Sequence, residues 1–245
     1  MPANCLGKRL ALLLRHGMKR KAKGPLDIEA KGVRLRVHPE DNFCENRLLF
    51  MPQFYDVTEL EFLRRMLPRD GRFADIGANV GIYSLVAGKL AMPAGRVVAA
   101  EPDPVTFARL RENVALNAPV SIDARQVAVG GENGLLHLRR ERGNRGQNKL
   151  VAEAAPDTVA VPVLTLAGLL AEAGFERLDA LKIDIEGFEE VVLRKFFSEA
   201  AKSLWPLHIL AEERKGEERP VLKRLLGDAG YSLGGKTSLN GIWSR

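Results

Sequence analysis

Short apolar runs and helical patterns of apolar residues alternate through most of this chain. One apolar run covers 73–76 and another covers 96–100, and each precedes a stretch with apolar residues at helical spacing. Two later apolar runs cover 180–185 and 206–212. The first is followed directly by Glu186, and the second ends at Glu212. Strands that alternate with helices are typical of a parallel sheet covered by helices on both faces. The pattern therefore predicts a doubly wound α/β fold.

A glycine-spaced turn joins the first run to its helix. The segment reads Phe73-Ala74-Asp75-Ile76-Gly77-Ala78-Asn79-Val80-Gly81-Ile82-Tyr83-Ser84. Gly77 and Gly81 lack a Cβ, so the backbone there can bend sharply and approach a ligand closely. Dinucleotide-binding loops follow G-x-G-x-x-G, whereas Asn79 and Tyr83 interrupt that spacing here. Asp75 adds a carboxylate that would repel a pyrophosphate and attract an ammonium, a group that S-adenosylmethionine carries.

The second run ends at Glu101, about 20 residues after the glycine loop, where a carboxylate accepts hydrogen bonds from ribose hydroxyls. Pro102 stops the strand. Asp103 and Pro104 suit the cap and the first position of the next helix. Because two acid-terminated strands flank one glycine loop, the sequence predicts a nucleoside-binding site between them.

The run at 180–185 carries charged residues toward its end. With strand periodicity, Lys182, Asp184 and Glu186 point the same way, which is costly unless they serve one another or a ligand. The carboxyl end of a parallel strand opens onto the ligand crevice, and Glu212 ends the next strand. We predict Asp184, Glu186 and Glu212 as catalytic acids. The residues leave open whether they act as a general base or hold a divalent metal.

Three motifs, in this order, resemble the FkbM-type family of S-adenosylmethionine-dependent methyltransferases. They are DIGANVGIYSL at 75–85, AAEPDPVTFARLRENVALN at 99–117 and LKIDIEGFEEVVL at 181–193. The resemblance covers roughly residues 55 to 215. It implies a Rossmann-like class I methyltransferase fold with a mostly parallel, seven-stranded sheet, and O-methylation of sugars or polyketide-type natural products. One departure is Ala167, where the family usually has an aspartate.

The motifs and the resemblance together predict which residues bind the cofactor S-adenosyl-L-methionine. They are Asp75, Gly77, Ala78, Asn79, Gly81, Tyr83, Glu101, Pro102, Gln126 and Asp184. Gln126 is included because the adenine usually lies where the third strand of this fold ends. That strand is predicted here from Val120 to Val129. On the acceptor side, Lys182 is predicted to contact substrate. Asn144 and Gly146 join it because the family has a similar Asn-x-Gly segment.

Changes in composition divide the chain. The predicted parts are a basic tail over 1–24, an N-terminal hairpin and helix extension over 25–70, and a methyltransferase domain over 71–245. Apolar and polar residues alternate from Leu26 to Val37, which predicts a β-hairpin, and Val57 to Leu67 has helical spacing. Between them, Phe43 to Tyr55 reads as an irregular aromatic segment that covers the cofactor or the acceptor. Near the end of the sequence, Tyr231 to Leu233 and Gly241-Ile242-Trp243 are predicted to form a last antiparallel pair of strands around Gly234 and Gly235.

Composition sets the broad class. The 245 residues are 46% hydrophobic and 28% charged, as expected for a globular protein that buries its own core. The two cysteines, Cys5 and Cys44, argue against a disulfide framework or a zinc site and favour a reducing, cytoplasmic compartment. Seven basic residues and no acid in the tail account for the net charge of +6. Such a tail suits peripheral contact with an anionic membrane or with nucleic acid.

The main functional hypothesis is an O-methyltransferase that acts on a glycan or a natural-product small molecule. An RNA methyltransferase that uses the basic tail is an alternative, but the nearly neutral remainder makes nucleic acid an unfavourable partner. The Asn/Asp-Pro-Pro-Tyr/Phe signature of amide and adenine methylation is absent after the fourth strand, where Asp184-Ile185-Glu186-Gly187 stands. A protein that binds the cofactor without transferring its methyl group is a third hypothesis.

Overall fold

The computed structural model describes residues 24–139, 149–151, 153–213, 219–237 and 239–245. The basic tail up to residue 23, with its predicted membrane contact, lies outside these ranges, as do Asn144 and Gly146. Within the ranges, every helix is too short or too polar to span a bilayer.

Strands and helices follow one another much as the hydrophobic pattern predicts. The strands are β1 (Leu26–Ala30), β2 (Val33–Val37), β3 (Arg72–Ile76), β4 (Arg96–Ala100), β5 (Asp123–Arg125), β6 (Ala128–Gly130), β7 (Gly134–Arg139), β8 (Lys149–Val151), β9 (Thr158–Thr165), β10 (Ala180–Ile183), β11 (His208–Glu212), β12 (Ser232–Lys236) and β13 (Asn240–Ser244). The helices are α1 (Phe43–Phe50), α2 (Val57–Met66), α3 (Ile82–Leu90), α4 (Pro104–Leu116), α5 (Leu166–Glu172), α6 (Glu189–Glu199) and α7 (Pro220–Asp228), with 3₁₀ turns at Pro52–Phe54 and Lys202–Leu204.

The central sheet of the described residues has seven strands in the order β12-β13-β11-β10-β3-β4-β5. Neighbouring strands from β11 to β5 run parallel, and β13 and β12 extend the sheet as antiparallel strands. The predicted doubly wound, mostly parallel, seven-stranded fold is confirmed. The register places Asp75 of β3 beside Lys182 of β10 and Ala99 of β4, so two opposite charges meet inside the sheet.

Successive side chains of the central strands pack against helices on opposite faces. On one face, Ile76 and Ile183 pack with apolar residues of α5, α6 and α7, including Leu193. On the other face, Phe73 packs with the β1–β2 hairpin and with α1, α2 and α3. Each fully buried large apolar side chain contributes about 1.5–3 kcal/mol. The extension over 25–70 therefore shares its core with the sheet.

Local backbone signals place two of these elements correctly. The β1–β2 hairpin turns at Lys31 and Gly32, which have φ angles of 55° and 82°. Asp103 caps α4 by accepting hydrogen bonds from the backbone N–H groups two and three residues later, and Pro104 occupies the first helical position. Both predictions are confirmed, because each depends on backbone geometry that few residue types satisfy.

The predicted third strand, Val120 to Val129, is wrong as a single element. Its first part pairs with β4 as β5, whereas its last part pairs with β9 as β6. The strands β6, β9, β7 and β8 form a separate four-stranded sheet in that order. Where the chain changes sheets, Val127 and Val129 are buried in the cluster that contains Leu166 and Leu170 of α5.

The segment from Phe43 to Tyr55 is not irregular, since it contains α1 and a 3₁₀ turn. Asn42 caps α1 by accepting from the backbone N–H of Glu45 at 3.2 Å. Glu45 is buried, and its carboxylate pairs with Arg109 of α4 at 2.7 Å. Because a charged residue occupies the buried face of α1, the helix lacks the apolar stripe that sequence patterns rely on.

The turn of the last hairpin also differs from its prediction. Gly234 and Gly235 were expected at the turn, but they lie within β12, beside an irregularity in its pairing with β13. The chain reverses between Lys236 and Asn240, where the Thr237 hydroxyl accepts from the Asn240 backbone N–H at 3.0 Å. The pairing of the two strands is antiparallel, as predicted.

Candidate functional site

A cavity of about 350 Å³ opens at the carboxyl ends of β3, β4, β10 and β11. Ligands bind at this edge in open parallel α/β sheets, and the volume lies within the range of small-molecule sites. Its wall combines the glycine loop after β3, the ends of the other three strands, and residues of α1 and the segment that precedes α2. The fold thus brings the predicted motifs to one place.

The glycine loop turns its backbone toward this cavity. The N–H groups of Gly77 and Ala78 both donate to the carbonyl of Ala100 at 3.0 Å, which fixes the loop to the end of β4. Gly77 has a φ of 75°, and a Cβ on it would collide with the carbonyl oxygen of Asp184. Gly81, with a φ of 88°, would collide with a side chain of α4. Both glycines are therefore required by the close approach of neighbouring groups.

Glu101 faces this loop from the end of β4. Its two carboxylate oxygens accept from the backbone N–H groups of Asn79 and Asp103, each at 2.9 Å. Asn79 has a φ of 51°, and its side-chain oxygen accepts from Nδ2 of Asn42 at 2.8 Å. Burial raises the pKa of Glu101 to about 7, although both backbone N–H groups lower it. Glu101 and Pro102 line the cavity, where the sequence predicts cofactor contacts.

Asp75 occupies a different place from the predicted one. Its side chain is fully buried beneath the loop, and it is not part of the cavity lining. Its Oδ2 accepts from the backbone N–H and the hydroxyl of Ser84 at 3.0 and 2.6 Å. Burial raises the pKa of Asp75, while Lys182, 3.7 Å away, lowers it. Asp75 supports the first turn of α3 from below and, in this arrangement, does not reach an ammonium in the cavity.

Lys182 places a positive charge at the centre of the site. Its Nζ lies 3.5 Å from Oδ2 of Asp184 and 3.7 Å from Oδ1 of Asp75. It also donates to the carbonyl of Gly77 at 3.3 Å and lies 5.3 Å from the ring centroid of Tyr83. Burial lowers the pKa of Lys182, but Asp184 and Asp75 together raise it above its ordinary value. The side chain stays an ammonium at neutral pH and lines the cavity.

Three carboxylates lie close together on the side of the cavity formed by β10 and β11, away from Glu101 at the end of β4. One oxygen each of Asp184, Glu186 and Glu212 lies within 4.8 Å of the others, and all three residues line the cavity. The structure thus brings together the acids that the sequence predicts as catalytic. Glu186 has a φ of 55°, a left-handed conformation that residues other than glycine rarely adopt. Carboxylates so grouped can accept a proton or hold a hard divalent cation.

The extension supplies one wall of the cavity, in the segment from Phe43 to Tyr55 that the sequence predicts to cover the site, but sequence reasoning missed the helix and the side-chain contacts that form this wall. The Tyr83 hydroxyl donates to Oδ2 of Asp56 at 3.1 Å, and Arg47 pairs with Oδ1 of the same carboxylate at 3.2 Å. The Arg47 guanidinium also lies 4.8 Å from the ring centroid of Tyr55, and Cys44 lines the cavity with them. Burial raises the pKa of Cys44 to about 11, so its thiol is protonated at neutral pH and is a weak nucleophile.

One sequence signal could have revealed the helix in this wall. Asn42 precedes Glu45 by three residues, a spacing that resembles the helix capping box, and α1 begins there. A helix from this point would have carried Cys44 and Arg47 on successive turns near the glycine loop.

One other residue predicted to bind the cofactor, Gln126, is not part of the cavity lining. Gln126 is exposed, and it is the apolar Val127, Ala128 and Val129 that line the cavity. An apolar wall with few polar groups is typical of the part of a site that holds an aromatic base. The acceptor contacts of Asn144 and Gly146 fall outside the described residues and stay predictions.

Comparison with known proteins identifies a family whose model matches this chain. A family model for the methyltransferase FkbM domain matches residues 75–221, more than half of the chain. Methyltransferase sdnD of Sordaria araneosa is 28% identical over 216 residues, which cover 76% of this chain and 80% of the relative. The 31-O-demethyl-FK506 methyltransferase FkbM of Streptomyces tacrolimicus is 31% identical over 182 residues, which cover 62% of this chain and 69% of the relative.

Solved structures share the architecture at low sequence identity. A structure described as a transferase from Pyrococcus horikoshii matches with a TM-score of 0.50 and 14% identity, and the match covers 91% of this chain and 71% of the other. A likeness at this identity shows the fold alone.

Proposed function

Because this chain belongs to the methyltransferase FkbM domain family and is an S-adenosylmethionine-dependent methyltransferase, we propose that it methylates a hydroxyl group of a small molecule. The acceptor is a sugar or a polyketide-type natural product. The observation that carries this proposal is the group of three carboxylates, Asp184, Glu186 and Glu212, at the cavity end of the central strands.

The residues present fit the cofactor. Glu101 offers carboxylate oxygens of the kind that bind ribose hydroxyls, and the apolar side chains of 127–129 suit the adenine. The glycine loop brings backbone close to the ligand because Gly77 and Gly81 lack side chains. When bound, S-adenosylmethionine supplies a methyl group on a positively charged sulfur. Of the described lining residues, five are acidic and two are basic, which favours a cationic ligand.

The three carboxylates suit the deprotonation of a hydroxyl. A hydroxyl is a weak nucleophile at neutral pH, and a general base positioned beside it typically contributes 10²–10⁴-fold to the rate. We assign Asp184 as this base, with Glu186 and Glu212 orienting the acceptor through further hydrogen bonds. Lys182, 3.5 Å from Asp184, offsets part of the negative charge of the group. Holding the hydroxyl against the methyl group supplies the remaining acceleration through proximity.

A second role for the same carboxylates is to hold a divalent cation. Three oxygen ligands within reach of one point suit Mg²⁺ or Mn²⁺, which would lower the pKa of a bound hydroxyl. The two roles differ in one measurement. A base acting alone leaves turnover unchanged after chelation with EDTA, whereas a metal site loses activity and regains it with added Mg²⁺ or Mn²⁺.

The relatives support an oxygen acceptor. The Streptomyces tacrolimicus relative is described as a methyltransferase of 31-O-demethyl-FK506, a name that identifies the oxygen lacking a methyl group. The acidic lining argues against an RNA acceptor, because phosphate groups require a basic surface.

The test is a transfer assay with S-adenosylmethionine labelled in its methyl group. Purified full-length protein is incubated with three panels: glycosides and polyol macrolides, primary amines, and total RNA. We expect label in a methyl ether, identified by mass spectrometry, from the first panel. Label confined to amines or RNA would contradict the proposal. A requirement for residues 1–24 and a steep decline with salt would favour the alternative of an RNA methyltransferase that uses the basic tail.

A further inference from the structure

A buried ion pair lies behind the three carboxylates and outside the cavity lining. Glu189, the first residue of α6, is fully buried, and its Oε2 accepts from Nη1 of Arg219 at 2.7 Å. Its other oxygen, Oε1, accepts from the backbone N–H of Ile185 at 2.9 Å and of Gly187 at 3.3 Å. One carboxylate oxygen therefore accepts from the backbone N–H groups of the residues immediately before and after Glu186.

The same ion pair reaches the neighbouring strand. Nη1 of Arg219 also donates to the backbone carbonyl of Glu212 at 3.0 Å. The turn that presents Glu186 and the strand end that presents Glu212 are thus joined through two side chains, Glu189 and Arg219. These two positions follow the neighbouring strands β10 and β11, which pair as far as Ile183 and Ala211, and the ion pair adds a side-chain link beyond the last paired residues.

The turn needs such support because its backbone is strained. Glu186 holds a φ of 55°, and a non-glycine residue in this region costs on the order of 1–3 kcal/mol unless its surroundings fix it. The two hydrogen bonds from Ile185 and Gly187 supply that constraint. Glu189 is also favourably placed at the start of α6, where the helix dipole stabilises a negative charge.

We propose that Glu189 and Arg219 are positioning residues that set the separation of the Glu186 and Glu212 carboxylates. They act on methyl transfer through these two acids and not through cofactor binding, since neither lines the cavity. This inference rests on the proposed function, in which the acids act on the acceptor. A pair that only stabilised the fold would change the melting temperature and leave the turnover of folded protein unchanged.

The test compares Arg219→Met with Arg219→Lys and with a control, Arg194→Met. Arg194 lies on α6 and pairs with Glu190 at the surface at 2.8 Å, so its loss removes an ion pair that does not touch the turn. We expect Arg219→Met to lower kcat about 100-fold, the order of loss that a 1 Å misplacement causes. The dissociation constant for S-adenosylmethionine should stay within about 3-fold. Arg219→Lys should recover part of kcat, because its ammonium can donate to both acceptors.

A second measurement, the ¹³C resonances of the acids themselves, does not depend on catalytic turnover. In protein labelled with ¹³C at glutamate carboxyls, Arg219→Met and Glu189→Gln should both shift the resonances of Glu186 and Glu212, and Arg194→Met should not. Unchanged kcat and unchanged resonances in folded Arg219→Met would overturn the inference. So would a loss of kcat matched by an equal loss of cofactor affinity.

The two proposals fail separately in this experiment. If the wild type methylates amines and no hydroxyl, the proposed function fails, while the ratio of variant to wild-type turnover on that acceptor still tests the positioning role. If the wild type methylates hydroxyls and Arg219→Met does so equally well, the positioning role alone fails. Should Arg219→Met not fold, Arg219→Lys and Glu189→Gln carry the same measurements.

Discussion

The ammonium of Lys182 lies 3.5 Å from Oδ2 of Asp184, where the central strand β10 meets the cavity. The same ammonium lies 3.7 Å from the buried carboxylate of Asp75 beneath the glycine loop. One cation is therefore shared by a residue that supports the glycine loop and by the carboxylate that we propose as the general base. This arrangement couples the stability of the loop to the charge of Asp184.

Replacing Lys182 with Met should destabilise the protein strongly. Asp75 would keep its place in the core without its cation, and removal of one partner of a buried pair typically costs about 3–5 kcal/mol. Chemical denaturation measures this change in the free energy of unfolding. The double variant Lys182→Met/Asp75→Asn removes the uncompensated charge and should recover most of the loss. Wild-type stability in the single variant would show that the Asp75 charge does not depend on Lys182.

The affinity for S-adenosylmethionine should rise with pH up to about 7. Burial raises the pKa of Glu101 from 4.5 to about 7 in the cofactor-free protein, and the ionised carboxylate is the stronger acceptor for ribose hydroxyls. Calorimetric titration at several pH values measures the affinity. In Glu101→Gln the affinity should be weaker, and its rise with pH should disappear. An unchanged rise in that variant would assign the titration to another group.

The same shift predicts the direction of one stability effect. The folded cofactor-free chain holds the Glu101 proton to higher pH than the unfolded chain does, since the folded pKa is about 7 and the ordinary value is 4.5. The contribution of Glu101 to the free energy of unfolding therefore falls as the pH rises from 4.5 to about 7. Urea denaturation of the wild type and of Glu101→Gln should diverge between these two pH values.

Gly77→Ala should be far more damaging than Gly32→Ala. Both glycines have positive φ, 75° and 82°, so alanine at either position costs about 1–2 kcal/mol from backbone strain. At Gly32 the added Cβ meets open space, whereas at Gly77 it collides with the carbonyl oxygen of Asp184. Thermal unfolding and cofactor titration of the two variants isolate this collision. Equal effects would mean that the loop moves freely away from β10.

Much of this fold could be predicted from the sequence at positions where the backbone geometry requires a particular residue type. Gly77 and Gly81 marked the loop, Asp103 and Pro104 marked the start of α4, and the acid at the end of β10 marked the crevice. Each of these signals is local, so it survives without knowledge of the packing.

The parts that were missed depend on contacts between distant residues. Glu45 looks like a surface residue until Arg109 of α4 is seen to pair with it, so α1 was not predicted. Gln126 seemed suited to adenine because its strand was expected to continue, but the chain changes sheets at Val127. Asp75 was expected in the cavity. Only the folded structure shows that its carboxylate accepts hydrogen bonds from Ser84.

The link between the extension and the glycine loop can be tested with Asn42→Asp. Aspartate keeps the cap on α1 by accepting from Glu45, but it loses the donor to Asn79. Loss of one hydrogen bond should lower stability by about 0.5–1.5 kcal/mol and, because Asn79 belongs to the glycine loop, should also weaken cofactor affinity about 3- to 10-fold.

Asn117→Asp is the matched control for that change. The Asn117 amide donates to the carbonyl of Arg34 on β2, away from the cavity. Its loss should lower stability and leave cofactor affinity unchanged. The opposite pattern in the two variants would contradict the assignment of Asn42 to the site.

The most direct test separates cofactor binding from methyl transfer in Asp184→Asn. Calorimetry gives the dissociation constant for S-adenosylmethionine, and labelled methyl transfer to the hydroxyl acceptor gives kcat for the wild type and the variant. We expect saturable binding by both proteins, weaker by at most about 10-fold in the variant because Asp184 is also a predicted cofactor contact, and a loss of kcat of at least about 100-fold in the variant. Transfer by Asp184→Asn at the wild-type rate, or the absence of binding by folded wild-type protein, would contradict the account.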